Sequence, residues 1–361
     1  DVVARPRSPG AEKVPGAEVP ARGLRARRRR LTLLSAGLFV AAGLLVLVLF
    51  FSVSYGSKEI PFRDVIRSFT DYDPTSNNHL IIRTLRIPRT AVGLMVGACL
   101  GLSGAVMQGL SRNPLADPGL LGVDAGAALF VVLGISVFGV SSLYSYVWFA
   151  FAGAFAASVV VYALGSAGRT GATPVKIALA GAALTALLSS FTSGILVLDA
   201  STLDQFRFWA VGSLAGRTSS LAWQMLPFAI VATVASLFTA RTLNSLAMGE
   251  DTAKSLGLNI NRARGLCALA IVLTAGTATA AAGPIGFIGL TIPHVVRKST
   301  GPDHRWLLPY CALLGPILLL GSDVIGRVVD RPAEVQVGII TALIGAPFFI
   351  YLVRRTRLAQ L

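Results

Sequence analysis

LTLLSAGLFVAAGLLVLVLFFSV, residues 31–53, decides the fold. It carries no charged residue, and about 20 consecutive apolar residues in a helix cross the hydrocarbon core of a bilayer. The stretch has company. The chain of 361 residues is 54% apolar and 14% charged, with a mean hydropathy of +0.69, whereas soluble domains are about a quarter charged. Apolar runs set off by turn signals predict about ten spans, at roughly 31–53, 88–109, 118–138, 146–166, 175–198, 220–241, 263–282, 285–298, 307–326 and 336–353. The eighth is short. The expected fold is therefore all-α, a polytopic membrane protein of about ten transmembrane helices. The short alternating segments of a β-barrel are absent from the sequence.

Several spans are rich in glycine and alanine, as in GLMVGACLGLSGAV at 93–106 and TAGTATAAAG at 274–283. Small residues let helix backbones approach closely in lipid, where packing rather than hydrophobicity drives association. A tightly packed bundle is expected over 31–361.

The formal charge of +15 is concentrated in ways that fit a membrane better than nucleic acid. RGLRARRRR at 22–30 immediately precedes the first span. Residues 1–30 read as a disordered basic tail held in the cytoplasm by the positive-inside rule, and able to meet anionic headgroups. The apolar stretch that follows is too long for a signal peptide and lacks an A-x-A site. With the tail inside, the basic clusters Arg112, Arg169 with Lys176, Arg241 to Arg264, Arg297 to Arg305 and RRTR at 354–357 also fall inside, and both termini are cytoplasmic. The exception is the outward segment 54–89, with Lys58, Arg63, Arg67, Arg83, Arg86 and Arg89. Such an exception calls for a purpose.

The sequence offers little chemistry of its own. No lysine follows a glycine as a phosphate-cradling P-loop requires, and no G-x-S-x-G elbow appears. Cys99, Cys267 and Cys311 lie in apolar stretches, and the three histidines lack ligand spacing, so neither a disulfide framework nor a metal site is expected. A proton-coupled carrier would need deep acids. Asp124 and Asp323 are candidates, but Asp124 suits a helix N-terminus and Asp323 can pair with Arg327 one turn on.

Two polar connections stand out. RNPLADPGLLG at 112–122 holds two prolines, an Asn and a Gly, yet stays apolar; Asn113, Pro114, Leu115 and Pro118 are candidates for an inner gate packed within protein. LAMGEDTAKSLGLNINRAR at 246–264 predicts a short helix that starts at Gly249, carries Glu250 and Asp251 in its first turn and Lys254 in its last, and stops at Gly257. Leu246, Ala253 and Leu256 form its apolar contact set. A plain turn needs only about 5 residues, so this element reads as one that docks in a groove of another protein.

At these residues the chain resembles the FecCD family of bacterial ABC importer permeases, which serve ferric siderophores, haem and vitamin B12. The marks are LRIPRTAVGLMVGACLGLSGAVMQGLSRNPLADPGLLG at 85–122, FWAVGSLAG at 208–216, LNSLAMGEDTAKSLGLN at 243–259, GPIGFIGLTIPHVVR at 283–297, DHRWLLP at 303–309 and IGAPFFIYLV at 344–353. The resemblance implies a type II importer permease fold in the bacterial cytoplasmic (inner) membrane, and a dimer with a second permease subunit, alike or paralogous. It implies two ABC ATPase subunits below, which hold ATP and Mg, and an extracytoplasmic substrate-binding protein above. No cofactor or catalysis is implied for this chain. The family's coupling helices match about 246–261, with Leu246, Gly249, Glu250, Ala253, Leu256 and Gly257 in the pattern. The family's outward arginines that meet glutamates of the binding protein match Arg86, Arg89 and Arg327. Ferric siderophore is the expected cargo, with cobalamin or haem as the alternative, and a proton-coupled secondary transporter is the rival class.

Overall fold

The computed structural model describes residues 21–167 and 173–355. Its elements are helical, with no strand among the described residues. In chain order they begin with α1 (Ala21–Ser54), two short helices α2 (Phe62–Thr70) and α3 (Asn77–Leu80), and a π-helical turn Ile81–Arg86 that runs into α4 (Ile87–Ser111). A 3-10 turn Pro118–Leu121 leads into α5 (Val123–Ser136), followed by α6 (Leu143–Ser166), α7 (Pro174–Leu198), α8 (Ala200–Ala210) and α9 (Ser219–Phe238). Two short helices, α10 (Ala240–Ala247) and α11 (Glu250–Ser255), precede α12 (Ile260–Ala282), α13 (Ile288–Thr300), α14 (His304–Val329) and α15 (Val337–Arg355).

Each expected span finds a helix: α1, α4, α5, α6, α7, α9, α12, α13, α14 and α15. Seven helical stretches are long and apolar enough to cross a membrane alone, and Val123–Ser136 and Val337–Leu352 are shorter apolar helices. α13 has 13 residues, about 20 Å at the α-helical rise, short of a bilayer core. The sequence reading missed α2, α3 and α8, which sit in connections where hydropathy is silent. Of the tail expected over 1–30, residues 1–20 lie outside the described residues. Residues 21–30 differ from the expectation, since α1 begins at Ala21. Arginine is a good helix former, and extending an existing helix avoids the cost of nucleation. Arg30 donates to the Thr300 carbonyl at 3.1 Å, which ties the start of the span to the end of α13.

α4 is the axis of the bundle. Its most apolar window is 78% buried, against 17% for α1 and 11% for α7, whose apolar faces are left outward. The burial of α4 is possible because its glycines replace side chains with backbone contact. A Cβ on Gly97 would lie 2.5 Å from the Pro316 Cα of α14, and one on Gly101 would strike the Cys311 carbonyl. A Cβ on Gly104 would overlap the Gly289 carbonyl of α13. The small-residue pattern thus maps onto the closest helix pairs, as packing-driven association in lipid requires.

The Gly104 contact also sets the depth of α13. Gly289 is the second residue of α13, and Gly104 lies seven residues before the end of α4. α13 therefore begins partway down the bundle, reached by the non-helical stretch 283–287. The stretch 112–122 climbs to the same level from the other end: Pro118 is buried and its Cδ lies beside Gly289, and Gln108 Nε2 donates to the Leu290 carbonyl at 3.2 Å. Two irregular segments meet inside the protein, where non-helical backbone is tolerated because protein rather than lipid surrounds it.

Gly104→Leu tests this packing. Inserting a side chain against the Gly289 backbone is expected to cost more than the ~1–3 kcal/mol usual for overpacking, because backbone cannot rotate away. Loss of a monodisperse peak in detergent and a lowered Tm are the expected readouts.

Candidate functional site

Side-chain contacts define the two ends of the bundle. At one end α10 and α11 form a platform. Gly249 takes φ +106° ahead of α11, and Gly257 takes φ +83° behind it, left-handed conformations that suit glycine. Gly257 N–H donates to the Lys254 carbonyl at 2.8 Å and Leu258 N–H to the Ala253 carbonyl at 3.0 Å, a Schellman stop. The expected start and stop are therefore where the glycines stand, and α10 ends just before them at Ala247.

The contact set needs correction. Leu246 and Ala253 are buried, packed with Ile260 and Ala263 in a small cluster of their own. Of the expected set only Leu256 points away, 66% exposed, and Met248 joins it at 54%. Leu246 and Ala253 hold α10 to α11 rather than reach outward. Glu250 is fixed by Arg264 of α12 at 2.5 Å, and Asp251 meets Lys254 at 3.8 Å on the exposed side.

Arg112 joins this platform to the irregular segment. It ends α4 in a left-handed conformation, φ +52°, and donates to the Leu246 carbonyl at 2.5 Å. Beyond it Asn113 and Pro114 are exposed and Leu115 is half-buried, with Asn113 Oδ1 accepting from Leu115 N–H at 2.9 Å. Asp117 Oδ1 caps the 3-10 turn through Gly119 N–H at 2.8 Å. Of the four gate candidates only Pro118 lies at the meeting point of the irregular segments. Two residues before Gly289, Phe287 is a bulky residue at φ +70° whose side chain packs against Gly345 of α15. Such strain in a bulky residue persists only where the surroundings over-determine it, and it clusters at functional segments.

The other end is built on ions. Asp323, 1% exposed, takes Arg89 Nη2 at 2.8 Å and Arg327 Nη2 at 3.0 Å, so the pairing read from the i, i+4 spacing is present with a second arginine added. Arg89 Nη1 also reaches Glu334 at 2.6 Å. Arg327 Nη1 donates to the Ser52 and Tyr55 carbonyls, both at 3.0 Å. Arg86 donates to the carbonyls of Val53 (3.0 Å), Ser54 (2.5 Å) and Lys58. These bonds staple the end of α1 to α4, α14 and the loop after it. Burial works to raise the carboxyl pKa of Glu334, but the hydrogen bond and charge of Arg89, with the Ser57 hydroxyl, hold it below the usual range.

Arg86, Arg89 and Arg327, the positions matched to binding-protein docking, come together at this end and line one cavity. All three are buried and engaged within the protein. The cationic exception at 54–89 divides: Arg86 and Arg89 point inward, whereas Lys58, Arg63, Arg67 and Arg83 are exposed. Sequence reading missed Arg217 and Glu334. Arg217 follows directly on FWAVGSLAG, and the signal was a lone cation between two apolar stretches. Asp124, the other deep acid, accepts from the Thr279 hydroxyl at 2.7 Å in the first turn of α5, as an acid at a helix N-terminus should. Among the described residues no group of three His, Cys, Asp or Glu could hold a metal.

A solved structure described as a metal-chelate type ABC transporter in an inward-facing conformation superposes with a TM-score of 0.78 at 30% identity, covering 89% of this chain and 99% of that one. The class is thus a multi-pass, all-helical permease of the ABC transporter type. The pattern of the FecCD transport family matches residues 44–355, and the chain belongs to that family. It is 45% identical over 304 residues to the probable siderophore transport system permease protein YfiZ of Bacillus subtilis, covering 84% of this chain and 91% of that protein. It is likewise 45% identical over 312 residues to the ferric enterobactin transport system permease protein FepD of Escherichia coli, covering 86% and 93%.

Asp323→Asn should leave Arg89 and Arg327 buried with a neutral partner. Breaking a buried pair from one side typically costs ~3–5 kcal/mol. The expected result is a Tm lowered by several degrees relative to the neighbouring Ser322→Ala.

Proposed function

We propose that this chain is the transmembrane permease of an ATP-driven importer that moves ferric siderophores across the bacterial cytoplasmic membrane by alternating access. It works as a dimer with a second permease subunit, and both termini are cytoplasmic. Two ABC ATPase subunits hold ATP and Mg and hydrolyse the nucleotide. An extracytoplasmic binding protein delivers the cargo at the opposite end.

The observation that carries this reading is the α10–α11 platform and its tether. Leu256 and Met248 offer an exposed apolar contact on an element otherwise fixed by buried packing and the Glu250–Arg264 pair. A push on α11 reaches the irregular segment through Arg112 and the Leu246 carbonyl. That segment meets the start of α13 at Pro118 and Gly289. Such a chain of packed elements can carry motion from an ATPase groove to a gate at mid-depth. At the opposite end the exposed cations Lys58, Arg63, Arg67 and Arg83 alternate with Glu59, Asp64, Asp71 and Asp73, a mixed-charge surface that can form local ion pairs with a docking partner. The siderophore cargo is favoured by the names of the relatives.

Leu256→Asp should abolish co-purification of the ATPase subunits while the permease stays folded, because an exposed side chain contributes within about 0.5 kcal/mol to stability. An intact complex with normal transport would remove α11 from its coupling role. For cargo, uptake is compared in a strain deleted for the gene, using labelled ferric siderophores, haem and cobalamin. Loss of one ferric siderophore, restored by the gene, is expected. Loss of haem or cobalamin instead would keep the machine and change its cargo.

A further inference from the structure

A cavity of about 200 Å³ opens among the loop after α1, the start of α4, the connection between α8 and α9, and the end of α14. Lys58, Arg86, Arg89, Arg217 and Arg327 line it, with Glu334 as the one carboxylate on its wall. Asp323 lies behind, engaged by Arg89 and Arg327. Five cations thus face two carboxylates, and the pairing is uneven. Arg89 and Arg327 take both acids. Arg86 and Arg217 form no ion pair among the described residues; their hydrogen bonds go to neutral carbonyls, and Arg217 has just one, from Nη2 to Ser213 at 2.8 Å.

Arg217 is the telling member. It is 5% exposed, and its Nε is buried without an acceptor among the described residues. Burial, followed by the neighbouring Arg89 charge, pulls its pKa down to about 10, still charged at neutral pH. A buried guanidinium with an unfilled donor and no counter-charge is strongly disfavoured unless something supplies that charge. The guanidinium fork suits a compact anion, and neighbouring guanidiniums strengthen the attraction where water is largely excluded.

We propose that this cavity binds one small free halide ion, held by Arg217 and Arg86 beside the two arginines already paired to Asp323. The anion completes the charge balance where α1, α4, α14 and the α8–α9 connection meet, and so stabilises that end of the protein. The proposal does not depend on the transport reading. A carboxylate side chain of another protein carries the same charge, so the test uses the full-length chain alone in detergent, with bromide as the probe.

Bromide is titrated against gluconate at constant ionic strength while Tm is followed. A saturable upward shift is expected, lost in Arg217→Gln and kept in Arg63→Gln, which removes an exposed cation from the same end. No saturable shift, or an equal shift in Arg217→Gln, overturns the proposal. Should Arg217→Gln fail to fold, anomalous diffraction from bromide-soaked wild-type crystals decides. A peak within hydrogen-bond distance of Arg217 Nε supports the site, and a cavity without one refutes it.

Discussion

The structure depends on backbone touching backbone along α4. In lipid there is no hydrophobic gain in bringing two apolar helices together, so affinity comes from contact. Gly97 and Gly101 let α14 lie against α4, and Gly104 lets the first turn of α13 do the same. α5 and α6 repeat the arrangement, with Gly126 and Gly153 each against the other's carbonyl. Large side chains at these positions would separate the helices and remove the dispersion contacts that hold them.

That close core has two consequences for mechanism. Helices packed at backbone distance are poor at bending, so they act as rigid bodies whose ends move together. The Gly104–Gly289 contact also anchors α13 partway down the bundle, and 283–287, which leads into it, is non-helical with positive φ at Gly283 and Phe287. The strained Phe287 and the buried Pro118 flank that contact. Irregular backbone is thereby concentrated in one layer, where a small displacement can change what the interior exposes, while the helices around it keep their hydrogen bonds.

The two ends solve different problems. One must be movable by a partner, and its small cluster around Leu246 and Ala253 is separate from the main core. Its other side is tied to the bundle: Ala240 and Leu243 of α10 belong to the main core, Asn244 bonds Asp303 and His304 at the start of α14, and Leu110 and Arg112 join it to α4. The other end is fixed by charge. Arg86, Arg89 and Arg327 bind the terminal carbonyls of α1 and the acids of α14 and the loop beyond, so four segments distant in sequence converge on a few guanidiniums. Buried charges are costly to separate, and that makes this end stiff.

Residue order alone determined the helical spans, because lipid leaves the helix as the way for an apolar chain to satisfy its own backbone. Hydropathy therefore reads almost directly as structure, and glycine at 249 and 257 reads as helix ends because few other residues tolerate positive φ. The shorter helices α2, α3 and α8 escaped that reading, since they lie in polar connections where neither argument applies. The roles of the charged residues were legible only in part. Asp323 with Arg327 could be read from their spacing of one turn, but Arg89 finds Asp323 across 234 residues. Arg63 and Arg86 look alike in sequence, and tertiary structure alone made one a surface charge and the other a buried staple. The same holds for Leu246 and Leu256, one buried and one exposed on neighbouring elements. Local sequence sets backbone preference, but burial and pairing are properties of which surfaces meet, and those surfaces come from opposite ends of the chain.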